Sequence, residues 1–312
     1  MSIFLRTLRR ARVHFPWFMT AVLLVMAFPT SAEERVQFRN PERNLTIAAY
    51  LSRPSGDGPA PAVVMLHGCS GLVAGGRPAP LYTAWRDLFL QEGFAVLMVD
   101  SASSRGFGQT CTAGEARKRM WAERPSDAYA ALAYLQAQPF IDATRISLAG
   151  WSQGGGVVLL AIGRRSSGRP DPPPVHDFAR AVAFYPGACS ETLQSRPFVD
   201  APAKSWTTEI PLLVLLGAAD NWTLAAPCEA FLSGAQDRGA PVEFHSYTGA
   251  SHAFDAPATP TRVVEAYREG TWAPVIGTSE EARADAYDRV RAFLRAMRAP
   301  NSVRNQSRSD AR

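Results

Sequence analysis

Gly150-Trp151-Ser152-Gln153-Gly154 sets a hydroxyl between two glycines, a pattern suited to nucleophilic chemistry. A serine that attacks a carbonyl must project from a tight strand-to-helix turn, and glycines on either side let neighbouring backbone approach. The context fits that demand. Arg145-Ile-Ser-Leu-Ala reads as a strand before the turn, and Gly155-Gly156-Val-Val-Leu-Leu-Ala-Ile reads as a helix after it. The free N–H groups at the start of such a helix favour negative charge developing at the serine. Three fixed residues at roughly 7% abundance each should coincide by chance only about 0.1 times in a chain this long, so the single occurrence carries weight.

A serine hydroxyl is a weak nucleophile and needs a base, and the base needs an acid to orient it. In one recurrent arrangement of such a serine at the turn above a parallel sheet, the acid and then the histidine follow it in the chain. The five histidines are His14, His67, His176, His245 and His252. His14 and His67 come too early. His176 lies in a proline-rich loop, and His245 sits inside a strand-like run. His252, in Thr248-Gly-Ala-Ser-His252-Ala-Phe, follows the last strand-like run and is the expected base. Asp220 ends the apolar run Leu212-Leu-Val-Leu-Leu-Gly-Ala-Ala and is the expected acid, with capping of the next helix as its alternative role. Asp171 and Asp200 follow no strand, and Glu209 precedes one. An oxyanion formed at the carbonyl needs two backbone donors. The N–H of Gln153 is one. The other is expected from Val63-Val-Met-Leu-His67-Gly68-Cys69-Ser70-Gly71, at Cys69, or at Ser70 if the turn is shifted by one. His67 is read as supporting that loop.

These groups require a frame. Residues 36–52 alternate apolar and polar around Asn40-Pro41, as a hairpin does. Six further short strands are expected at 62–66, 95–99, 146–149, 181–184, 212–216 and 242–247, the first five almost continuously apolar as in strands buried on both faces. Helices are expected at about 80–92, 125–138, 153–165, 224–237 and 279–298, the second entered through Pro125-Ser126-Asp127. Strands alternating with helices imply an α/β fold, a mostly parallel twisted sheet with helices on both faces. One domain over 33–299 is the expected organisation. The segment 166–177 is too rich in proline for regular structure. With the strands placed, Cys69 and Cys111 fall beyond the strands ending near 66 and 99, and Cys189 and Cys228 beyond those ending near 184 and 216. The expected disulfides are therefore Cys69–Cys111 and Cys189–Cys228.

The chain has 312 residues, 46% of them hydrophobic and 20% charged, an ordinary globular composition. Its formal charge of +5 has a local origin. Arg6, Arg9, Arg10 and Arg12 precede an apolar stretch from Phe15 to Phe28, and Thr30-Ser31-Ala32 offers a small-residue cleavage site. Residues 1–32 thus read as a secretory signal peptide, with an uncleaved anchor as the alternative. The apolar stretch falls short of the ~20 residues that span a bilayer. Without those four arginines, 29 basic residues face 28 acidic ones, which gives no basis for binding nucleic acid or an anionic surface. The tail 300–312 lacks apolar content and is expected to be disordered. No spacing of Cys or His suggests a metal site.

Taken together, His67-Gly68-Cys69-Ser70-Gly71, Asp100-Ser-Ala-Ser-Ser-Arg105-Gly106, Gly150-Trp-Ser-Gln-Gly-Gly155, Gly217-Ala-Ala-Asp220-Asn-Trp222-Thr and Ser251-His252-Ala253-Phe254 resemble the dienelactone hydrolase family across about 35–297. The resemblance implies an α/β-hydrolase core, cleavage of esters or lactones by a nucleophile-His-Asp triad, and no cofactor. It also implies that Arg105 contacts substrate, a loop salt bridge being the alternative. Trp151 and Trp222 are candidates for the pocket wall, with packing behind the turn as the alternative for Trp151. One departure stands out: the enzymes that name the family use cysteine where this chain has Ser152. The implied partner is a small ester or lactone in a secreted or periplasmic setting. The same triad also serves acyl transfer or peptide cleavage, and a silent binding protein can reuse the fold.

Overall fold

The computed structural model describes residues 33–296, apart from 113, 167, 197 and 198. The expected leader at 1–32 and tail from 300 lie outside the described residues. The central sheet has eight strands: β1 (Glu34–Asn40), β2 (Leu45–Ser52), β3 (Ala60–Leu66), β4 (Ala95–Asp100), β5 (Ile141–Trp151), β6 (Arg180–Phe184), β7 (Leu212–Gly217) and β8 (Val242–Tyr247). Their spatial order is β1-β2-β4-β3-β5-β6-β7-β8. β1 and β2 form the expected antiparallel hairpin, and β2 also runs antiparallel to β4. Every later pairing is parallel. Five helices follow from the apolar periodicity between strands: α1 (Pro80–Gln91), α2 (Glu115–Gln136), α3 (Gln153–Ile162), α4 (Ala225–Asp237) and α5 (Glu280–Arg295).

Side chains of β3 show why the sheet is buried on both faces. Ala62, Val64 and Leu66 join a core with residues of α2, α3 and α4. Val63 and Met65, pointing the other way, join a second core with residues of α1 and α5. Parallel pairing then brings the carboxyl ends of β3, β5, β6, β7 and β8 to one edge, with Leu66 beside Gly150, Trp151 beside Phe184, and Gly217 beside Tyr247. That edge is where an open parallel sheet places its ligand site.

One expected boundary is wrong. α2 begins at Glu115, ten residues before the predicted entry, and Pro125 lies inside it. A proline removes a backbone donor and usually ends or opens a helix, so Pro125-Ser126-Asp127 looked like a start. Tertiary contacts override that signal. Arg124 is fully buried, and Glu123 pairs with both Arg105 and Arg119. Two charged residues that carried no apolar periodicity thus hold the first half of the helix in place.

Candidate active site

Ser152 occupies the turn between β5 and α3 with φ 53° and ψ −114°. Left-handed φ is unfavourable for a residue with a Cβ and persists only where surroundings enforce it. The surroundings here are two glycines that no other residue can replace. A Cβ on Gly150 would lie 2.3 Å from the Gly154 oxygen, and a Cβ on Gly154 would lie 2.2 Å from the Leu66 oxygen. The Ser152 N–H donates to the Phe184 oxygen at 2.9 Å, while its own carbonyl accepts from Gly156 and Gly187. Both sides of the turn are therefore fixed by backbone bonds.

His252 lies five residues beyond β8, and its Nδ1 is 2.7 Å from Asp220 Oδ2. Asp220, three residues past β7, is buried. Its Oδ1 accepts the N–H groups of Trp222 at 2.7 Å and Thr223 at 2.9 Å. Thr223 Oγ1 sits 2.8 Å from Oδ2 and 3.1 Å from His252 Nδ1. Burial opposes the charge of Asp220, but His252 and the Thr223 donors outweigh it, and the carboxyl is held below its ordinary pKa. The remaining acids and histidines are engaged elsewhere or stand apart. Asp200 pairs with Arg196, and Glu209 with Arg164. His176 is exposed, and His245 stacks edge-on against Tyr247.

A cavity of about 1030 Å³ opens at this edge, lined by Ser152, Gln153, Cys69, Trp222 and Thr223 among others. Apolar side chains such as Trp121, Leu160 and Leu224 form much of its wall, and Arg43, Arg117 and Lys118 also border it. Trp222 links the two halves of the site, since it lines the cavity with Ser152 and packs its ring 4.9 Å from that of His252.

The loop after β3 is pinned from several directions. Disulfides join Cys69 to Cys111 and Cys189 to Cys228, the pairing that the strand order suggests. The Gly68 N–H donates to Tyr82 Oη at 2.8 Å, and the Thr110 N–H donates to the Cys69 oxygen at 2.7 Å. The Cys69 N–H itself has no acceptor among the described residues. His67 is buried, with Nδ1 2.6 Å from the Gly68 oxygen and Nε2 accepting from the Ala102 N–H. Burial, reinforced by the nearby Arg124 guanidinium, pushes its imidazole well below the ordinary pKa, so the ring is neutral and serves the loop.

Two candidate substrate contacts, Arg105 and Trp151, do not line the cavity. The Arg105 side chain is 1% exposed and is bound to Glu123, to both oxygens of Asp127 and to the Ser101 carbonyl. Four of its five N–H donors are engaged by these partners, and it does not line the cavity, which favours the loop salt bridge over substrate contact. Trp151 points into the core, stacked on Phe184 at 4.8 Å, with its Nε1–H donated to Asp255. Trp151 is not among the residues that line the cavity. Sequence reasoning missed Arg124, Tyr185 and Asp255. Asp255 sits only three residues past His252, and that proximity was the one usable signal. Among the described residues no cluster of His, Cys, Asp and Glu is arranged to hold a metal ion, and no helix is long and apolar enough to cross a membrane.

A model of the dienelactone hydrolase family matches residues 47–298. Quorum-quenching protein AidA of Acinetobacter baumannii (strain MDR-ZJ06) is 35% identical over 127 residues, covering 40% of this chain and 37% of that protein. Dipeptidyl aminopeptidase BIII of Pseudoxanthomonas mexicana is 26% identical over 272 residues, covering 76% of this chain and 38% of its own. The matches thus span under two fifths of the length of these relatives. Thermogutta terrifontis esterase 2, in a structure phosphorylated by paraoxon, shares the fold with a TM-score of 0.58 at 16% identity, over 85% of this chain and 94% of that one.

Proposed function

The chain belongs to the dienelactone hydrolase family, and from that premise we propose that it is a serine hydrolase that cleaves carboxylic esters or lactones through an acyl-enzyme. Ser152 attacks the carbonyl while His252 takes its proton. Asp220 holds the imidazole with the proton on Nδ1 and stabilises the cation that forms. The N–H groups of Gln153 and Cys69 receive the oxyanion. His252 then returns its proton to the leaving alkoxide and activates water, which releases the acid. The observation that carries this reading is the 2.7 Å bond between His252 and a buried, multiply donated Asp220, at the same sheet edge as the strained Ser152. The apolar wall and open mouth of the cavity suit an ester of moderate size. The hydrolase domain is assigned to 33–299, behind a leader at 1–32. Two disulfides fit an oxidising compartment and so support export.

Ser152→Ala is expected to remove hydrolysis of p-nitrophenyl acyl esters by several orders of magnitude and to abolish labelling by a fluorophosphonate. Near-full activity in that variant would sink the assignment. Labelling of the wild type without turnover of any ester would point instead to transfer or peptide cleavage.

A further inference from the structure

We propose that Arg124 is a positioning residue for the oxyanion hole, its buried guanidinium tying together the two backbone segments that receive the developing charge. The inference rests on the functional reading above. Arg124 lies in α2, distant in sequence from both segments, and is 0% exposed. Its Nη2 donates to the His67 carbonyl at 2.7 Å, and its Nη1 donates to Gln153 Oε1 at 3.1 Å. Thr110 Oγ1 donates to the same Gln153 oxygen at 3.2 Å. One planar fork thus grips the loop after β3 and the first residue of α3 at a fixed separation.

Peptide planarity carries that grip to the donors. The Cys69 N–H belongs to the peptide between residues 68 and 69. On one side, Arg124 holds the carbonyl of the 67–68 peptide. On the other, Thr110 holds the Cys69 carbonyl. Each peptide is rigid, so fixing both neighbours leaves the middle one little freedom to turn. The Gln153 N–H is framed in a similar way. Ser152 O accepts from Gly156 and Gly187, and the Gln153 side chain is held by Arg124.

Charge gives a second reason to place arginine here. Among the described residues Arg124 forms no ion pair, and its Nε has no hydrogen-bond partner. A buried cation without a directly paired carboxylate is costly to the fold, and here the charges of Asp127 and Asp100 offset that cost only in part. Set behind the hole, it favours the negative charge that appears there during reaction. Burial lowers the guanidinium to about 10, which still leaves it cationic at neutral pH.

The test compares an aryl butyrate ester with its thionoester, in which sulfur replaces the carbonyl oxygen. Sulfur is a poor hydrogen-bond acceptor, so the ratio of the two kcat values reports the hole itself. In Arg124→Met, ester kcat should fall on the order of 10²-fold and KM should change by less than about threefold, with the ester/thionoester ratio falling about tenfold or more. Arg124→Lys should recover part of both losses. If Arg124→Met does not fold, Gln153→Leu takes its place, because it removes the Nη1 acceptor and keeps the backbone donor; the ratio should fall in the same direction. A folded variant whose ratio stays at the wild-type value overturns the role of Arg124 and leaves the hydrolase reading intact. A wild type that neither turns over the ester nor takes a fluorophosphonate at Ser152 overturns both.

Discussion

Replacing Asp220 by asparagine isolates what the carboxylate does, because the fold offers the amide only one orientation. Two backbone N–H groups, from Trp222 and Thr223, converge on Oδ1. The amide oxygen must take that place, and the NH2 must take the place of Oδ2. It then points a donor at His252 Nδ1, which lies 2.7 Å from that oxygen in the wild type. The ring can meet that donor only by carrying its proton on Nε2, the atom that in the proposed mechanism accepts the proton of Ser152. The catalytic tautomer is lost while most of the packing survives. The expected fall in kcat is on the order of 10⁴-fold, or about 5.5 kcal/mol of transition-state stabilisation.

The assay is kcat on a p-nitrophenyl ester at neutral pH, with the rate of fluorophosphonate labelling as a second readout and thermal melting as the check on folding. Stability adds a signed expectation. The Asp220 carboxyl is held below its ordinary pKa, so its ionised form stabilises the fold above the pKa of the unfolded chain. That contribution is lost as pH falls through the lower folded value. Asparagine has no such dependence, so any stability gap between wild type and variant should narrow on acidification. A folded variant that loses less than about tenfold in kcat would refute the assignment of His252 as a base oriented by Asp220.

Two further expectations follow from the same geometry. The disulfides close sequence separations of 42 and 39 residues, and on chain entropy each is worth roughly 4 kcal/mol; urea unfolding of paired Cys→Ala variants should show that loss, and the Cys69/Cys111 pair should also lose kcat with little change in KM. Arg105→Met breaks a buried pair with Asp127, so it should cost about 3–5 kcal/mol in denaturant unfolding while the KM for esters stays near the wild-type value; a selective rise in KM with unchanged stability would restore Arg105 to the substrate site.

Local signals exposed much of this structure. Apolar runs marked β3, β4, β5, β6 and β7, because these strands are buried on both faces and need no alternation to be seen, whereas the half-buried edge strand β8 is not a continuous apolar run. Ser152, Asp220 and His252 could be proposed from sequence because each lies within five residues of the end of a strand of the parallel sheet. The two disulfides were legible from the same strand ends. What escaped reading shares one property: its partners are far away in sequence. The early start of α2 depends on Arg105 reaching Glu123, and no periodicity near Pro125 could reveal it. For Arg105 and Trp151 the sequence leaves two roles open, because their positions after or beside a strand end suit a substrate contact and a structural contact equally well. Only the locations of Asp127 and Asp255 decide between them. Arg124 carried no signal at all, since a lone arginine among the charges of a helix usually faces water.

Asp255 shows how the strained serine turn and the histidine loop are kept in mutual register. Its side chain is fully buried and accepts three hydrogen bonds: from Trp85 in α1 at 2.7 Å, from Trp151 beside Ser152 at 2.8 Å, and from Tyr185 beyond β6 at 2.7 Å. Burial raises its pKa, and the three donors oppose that rise. The Tyr185 ring in turn packs 4.6 Å from the imidazole of His252. One carboxylate therefore touches the residue before Ser152 and the residue that backs His252, and it belongs to the same loop as His252. Losing it would orphan three buried donors at once, each costly in a medium that offers no water. Substitutions at Trp85, Trp151 and Tyr185 should accordingly fail to add, because each removes a bond to the same two oxygens. A hydrogen bond spanning 104 residues thus ties Trp151 into the core, while Trp222 lines the cavity beside His252.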